Sequence, residues 1–77
     1  MIWLEGHKMS FREAKCYLRR AKARALEVDE RHLQWLDYCN YGKHGKMFMW
    51  NCVDPTHIKY KSTVAAVVRR NGDVILG

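Results

Sequence analysis

The sequence predicts an α+β fold: a short N-terminal strand and two helices, paired as a helical hairpin, packed on a three- to four-stranded antiparallel sheet. Three observations carry that reading. A capping box opens a segment whose apolar residues step by three and four. An acidic cap and a second apolar segment follow it. Beyond Gly42 the texture changes to β-branched and alternating runs. The 77 residues form one domain, residues 1–77, because a chain this short builds only one core.

Ile2-Trp3-Leu4 is a short apolar run that reads as an edge strand ending at Gly6. Ser10 and Glu13 stand in the S-x-x-E pattern, in which the hydroxyl caps a free N–H and the carboxylate reaches back. Behind them Phe11, Ala14, Leu18, Ala21, Ala25 and Val28 form one narrow apolar stripe, the signature of an amphipathic helix. Asp29 and Glu30 favour the start of a second helix, which Leu33, Trp35, Leu36 and Cys39 continue until Asn40, Tyr41 and Gly42 stop it. Met47 to Val53 reads as a buried strand closed by Asp54-Pro55. His57-Ile58-Lys59-Tyr60-Lys61 alternates polar and apolar, as a strand with one wet face does. Residues 62–70 fit either a capped helix or a strand, and the β-branched residues between Thr63 and Val68 favour the strand. Asn71-Gly72 then makes a hairpin turn flanked by Arg70 and Asp73 as an opposite-charge pair.

Charge is unevenly spread. The formal net charge is +6, and the stretch from Lys8 to Arg24 alone holds seven basic residues against the single acid Glu13. An acidic block from Ala25 to Gly42 separates it from a second basic block. At 100° per residue Arg12, Lys15, Arg19 and Lys22 fall in one sector of a helix, spaced about 5 Å apart along its axis. Such a row suits a phosphate backbone, where cationic side chains release condensed counterions. An ordinary solvated helix face would mix acids into it as i,i+4 pairs, and here they are scarce. On the predicted strand face His57, Lys59 and Lys61 point the same way. That places them for phosphate contact and, more remotely, for acid–base chemistry on a phosphodiester. Tyr41 sits beside Lys43, His44 and Lys46 in a glycine-flanked loop, a place from which an aromatic ring can stack on a base or pack on a partner. Trp35, Trp50 and Tyr60 are expected in the core.

Other chemistry is poorly supported. Cys39-x4-His44 and Cys52-x4-His57 supply the ligand types of a tetrahedral zinc site, but not the tight C-x2-C spacing that makes such a site specific, so no metal site is assigned. No phosphate-loop, dinucleotide, zinc-protease or nucleophile-elbow motif occurs, and no cofactor or catalytic residue is expected. No apolar run is long enough to span a membrane. The N-terminus lacks the basic start and apolar run of an export signal, and three cysteines, an odd number, point to the reducing cytoplasm.

The order of strand, two helices and antiparallel sheet on a basic chain is similar, in architecture and charge only, to the small bacterial ribonuclease toxins that cut mRNA on the ribosome. No catalytic motif aligns with them. The expected function is therefore non-enzymatic: binding of nucleic acid or a nucleoprotein complex through Arg12, Lys15, Arg19 and Lys22, with Lys43, Lys46, Lys59 and Lys61 widening the footprint. Two alternatives are a small inhibitor of nucleic-acid-processing machinery that docks through Tyr41, and a ribonuclease. The alanine-bearing helix stripe also offers a homodimer contact.

Overall fold

The computed structural model describes residues Met1–Gly77. It is α+β with two layers. β1 (Ile2–Leu4) and β2 (His7–Met9) form a small antiparallel hairpin, and α1 spans Phe11–Leu26. The main sheet is an antiparallel meander of β3 (Leu33–Asn40), β4 (Lys46–Cys52), β5 (Thr63–Val68) and β6 (Val74–Ile75), adjacent in that order. The N-terminal strand thus pairs with β2 rather than with the main sheet.

α1 begins where the sequence places it. Glu13 N–H donates to Ser10 Oγ at 3.2 Å, and Ser10 N–H donates to Glu13 Oε1 at 3.3 Å, completing the capping box. The helix ends after Leu26, with Glu27 in the left-handed region at φ 58°. It lays Ala14, Leu18 and Ala23 on the sheet, where they meet Phe48, Trp50, Cys52, Val64, Ala66 and Val68 in one core. Alternation builds the sheet half of that core: Phe48 faces Ala66 and Trp50 faces Val64 across the β4–β5 ladder. Each such large, fully buried side chain contributes about 1.5–3 kcal/mol. Residues 63–68 are strand, as their β-branching favours.

There is one helix, not a helical hairpin. Asp29 does cap a turn, its side chain accepting from Arg31 N–H, but only the single 3-10 turn Glu30–His32 results. The segment expected as a second helix is β3. Its ladder with β4 runs Leu33↔Cys52 and Trp35↔Trp50, then shifts register so that Asp37 faces Met49 and Tyr38 faces Phe48. Leu36 is the extra residue of a β-bulge. The bulge moves the core-facing positions from Leu33 and Trp35 to Tyr38, and that three-residue step imitates a helix.

Residues 57–61 are not a strand either. They lie in a loop between β4 and β5, with Lys61 at φ 67° and Ile58 93% exposed. Tyr60, expected in the core, is 43% exposed. The β5–β6 connection is a five-residue turn in which Arg69 N–H donates to Asp73 O and Gly72 N–H to Arg69 O. Asp73 bonds Asn71 there, so the expected Arg70–Asp73 pair does not form.

A cationic cleft at the end of the sheet

The helical row of cations is not a solvent-facing stripe. Its sector is turned toward the aromatic side of the sheet. Lys15 Nζ lies 4.6 Å from the centroid of the Trp35 ring, a cation–π contact. Arg19 has its Nε buried without a hydrogen-bond partner. Lys22 is 7% exposed, and its ammonium donates to the Leu76 carbonyl. Burial, and secondarily the charge of Lys59, holds the Lys22 pKa below its ordinary value. Of the four, only Arg12 stands free in solvent. The roll of the helix has a simple cause. Ala14 and Leu18 cannot cover the indoles of Trp35 and Trp50 alone, and the methylene stems of long cationic side chains complete the cover.

The expected strand face of His57, Lys59 and Lys61 is likewise replaced by a loop. His57 Nε2 lies 2.7 Å from the Leu26 carbonyl oxygen, and its Nδ1 accepts from Lys59 N–H at 3.0 Å. A carbonyl oxygen can only accept, so Nε2 donates to Leu26 while Nδ1 accepts, and the ring clamps the loop to the end of α1. With both nitrogens engaged, the acid–base role considered for His57 is corrected to a structural one. The zinc candidates are also dispersed in role: Cys52 is buried in the core, His57 is tied to α1, and no group of three or more His, Cys, Asp or Glu residues is placed to hold a metal ion.

What the fold does gather is a cleft at the opposite end of the sheet. The β3–β4 and β5–β6 connections both lie at that end, because Asn40, Lys46, Val68 and Val74 are successive partners across the ladders. The first connection holds Lys43 and His44 in the 3-10 turn Gly42–His44, and the second holds Arg69, Arg70 and Asn71. Together they line a cleft of about 370 Å³ whose apolar wall is Val67 and Ile75. No acid lines it. The protein's three ion pairs are Arg20–Glu30, Arg31–Asp29 and His32–Asp54, so Lys43, Arg69 and Arg70 are all unpaired.

Gly45 makes this approach feasible. It adopts φ 101°, and a Cβ there would stand 2.6 Å from the Val68 carbonyl oxygen, so only glycine lets the Lys43 turn press against the end of β5.

Of the other sequence candidates, Lys46 is half-buried at the start of β4 and Tyr41 is 51% exposed beside the same turn. The neighbouring Cys39 side chain heads the influences that raise the Tyr41 pKa above its ordinary value. Lys59 and Lys61 are exposed at the far end, away from the cleft, Lys61 reaching over the Tyr60 ring. Arg69 and Arg70 were not among the expected binding residues. Their signal in the sequence is a pair of arginines directly before a turn, matched by Lys43-His44 in a second glycine-flanked turn.

Fold and cleft together define a small two-layer α+β domain with an unpaired cationic end. No family model, curated protein or solved structure matches the chain. No helix is long and apolar enough to cross a membrane.

Proposed function

We propose that this protein binds nucleic acid, without catalysing a reaction on it, by taking backbone phosphates into the Lys43–Arg69–Arg70 cleft. The observation that carries the proposal is the convergence of three unpaired cations and His44 on one cleft that no acid lines. Cations gathered at such density repel one another, and a bound polyanion relieves that repulsion while releasing its own counterions. Arginine suits the task because its planar fork binds phosphate oxygens in pairs. Exposed Tyr41, beside the same turn, offers a ring for base stacking.

Fluorescence anisotropy of labelled single- and double-stranded DNA and RNA, at low and near-physiological salt, tests this. The expected result is binding that weakens steeply with salt and is weakened, with a shallower salt slope, by Arg69→Gln/Arg70→Gln. No binding of any of the four ligands at low salt refutes it. The exposure of Tyr41 favours one second reading, an inhibitor of nucleic-acid-processing machinery that docks on a protein. That reading requires salt-insensitive binding that is lost on Tyr41→Ala.

A further inference from the structure

Between α1 and the sheet lies a smaller cavity, of about 80 Å³. Its walls are Lys15, Cys16 and Arg19 of α1 with Trp35 of β3 and Trp50 of β4. Cys16 is exposed and Lys15 and Arg19 are half-buried, so the mouth lies on the helix side, while Trp50, 0% exposed, forms the floor. Two of the protein's three buried side-chain polar atoms without a hydrogen-bond partner belong to this wall, Arg19 Nε and the Trp50 indole Nε1. Buried N–H groups are paired in nearly all native structures, because one left without an acceptor gives up its hydration for nothing. Lys15 adds a third donor. Its ammonium rests 4.6 Å from the Trp35 ring centroid and joins none of the protein's ion pairs.

We infer that this cavity binds a small free oxyanion, phosphate-sized or smaller, through Arg19 Nε, the Trp50 indole N–H and the Lys15 ammonium. The donor set argues for an anion over water. Every side-chain nitrogen on the wall donates, and the one other polar group, the Cys16 thiol, is a weak acceptor. A water accepting from Arg19 and Trp50 would carry two protons of its own with no good acceptor for them, whereas an oxyanion offers acceptors alone. Charge argues the same way. Lys15 and Arg19 stand four residues apart on one helix face, where like charges repel, and no acid lines the cavity to relieve them. An ion between them offsets that repulsion, and the low dielectric of a half-enclosed site strengthens its charge-assisted bonds. Size limits the ligand. The space equals that of roughly two to three waters at about 30 Å³ each, enough for an ion of about five heavy atoms and too small for a nucleotide. The ion meets both cations where they stand, so their stems keep covering the indoles. This site shares no residue with the Lys43–Arg69–Arg70 cleft.

The test titrates the full chain, without nucleic acid, with sodium phosphate and separately with sodium acetate, against sodium chloride at matched ionic strength. The readout is the indole N–H resonances of the three tryptophans in proton–nitrogen correlation spectra. Phosphate or acetate should move the Trp50 resonance downfield to a saturating limit, with half-saturation at about 1 mM, an ordinary affinity for so few heavy atoms. The ion that saturates it at lower concentration identifies the class of oxyanion. Trp3, 54% exposed on the hairpin, should stay fixed. Arg19→Met, which keeps most of the stem, should weaken the response about tenfold or more with an unchanged circular dichroism spectrum. A Trp50 resonance that neither oxyanion moves by about 50 mM overturns the inference. So does one that chloride moves equally, since it then reads only ionic strength, and neither result needs a substitution. Arg69→Gln/Arg70→Gln should leave the Trp50 titration as in wild type, so this site and nucleic-acid binding stand or fall separately.

Discussion

Replacing Arg69 and Arg70 with glutamine is the sharpest test of the cleft. Each neutralised phosphate contributes about 0.9 to the slope of log affinity against log salt on duplex and about 0.7 on a single strand. The cleft presents three Lys and Arg side chains. Removing two should therefore lower the slope by about 1.4–1.8, and at 0.1 M salt weaken binding by roughly 25- to 60-fold relative to 1 M. The assay is an anisotropy titration at four or more salt concentrations, with thermal melts confirming that both proteins are folded. Arg20→Gln/Arg24→Gln is the control, since it removes the same charge from the outer face of α1, where Arg20 is already paired to Glu30 at 3.1 Å. If the two double variants lower the slope equally, binding reads only net charge and the cleft has no special part in it. If Arg69→Gln/Arg70→Gln leaves the slope unchanged, the phosphates are held elsewhere.

Three further outcomes follow from local geometry. Gly45→Ala should cost about 2–3 kcal/mol and lower Tm by about 10 °C or more, because its Cβ meets the Val68 carbonyl at 2.6 Å, whereas Gly42→Ala, with open space around it, should cost about 1 kcal/mol; equal melting shifts would contradict the packing argument. Lys22→Met should be more stable than wild type at neutral pH, with a gap that narrows as pH rises toward 10.5. Lys22 titrates below that value when folded, so in that window the unfolded chain holds more protons and wild-type stability climbs. Urea titrations at several pH values decide the point, and a constant gap would show that the buried charge carries no penalty. Asp54 is held below the usual carboxylate range by hydrogen bonds from the Thr56 hydroxyl and then the Thr56 N–H. Its contribution is present above the ordinary value and lost as pH falls through the depressed one, so Asp54→Asn should flatten the loss of stability below about pH 4. An acid limb as steep in the variant as in wild type would remove Asp54 from that account.

Local signals carried α1, β4 and β5, and long-range ones were needed for the rest. The Ser10–Glu13 box and the Ala14–Leu18 step announce the helix because everything they need lies within one turn of chain. Val64, Val67 and Val68 announce a strand through side-chain shape. β3 was hidden by one residue: with Leu36 bulged out, Trp35 and Tyr38 share a face at a helical spacing, and only the pairing with Phe48 and Trp50 reveals it. The alternation of His57 to Lys61 was accidental, since no neighbouring edge takes it up and His57 ties the loop to Leu26 instead. The cleft was half visible. Lys43 and Arg70 each stand at a turn legible in the sequence, but that the turns lie together depends on the meander bringing the two connections to one end.

The displacement of the cationic site from helix to loops has a reason in the economy of a small core. α1 supplies the sheet with only Ala14, Leu18 and Ala23 as fully buried apolar side chains, against a sheet that presents Phe48, Trp50 and part of Trp35. Three small or medium residues cannot cover that much aromatic surface. Lys15 and Arg19 do so with their stems, one ammonium resting on the Trp35 ring, and Lys22 reaches across to the Leu76 carbonyl. Cations committed in this way carry desolvation and packing roles, and moving them to meet a phosphate would uncover the core. Lys43, Arg69 and Arg70 have no such commitment, because they sit on turns whose backbone hydrogen bonds are made without them. A phosphate ligand can therefore recruit them without unpacking anything. Substitutions at Lys15 and Arg19 should accordingly register in thermal melts before they register in binding, and substitutions at Arg69 and Arg70 the reverse.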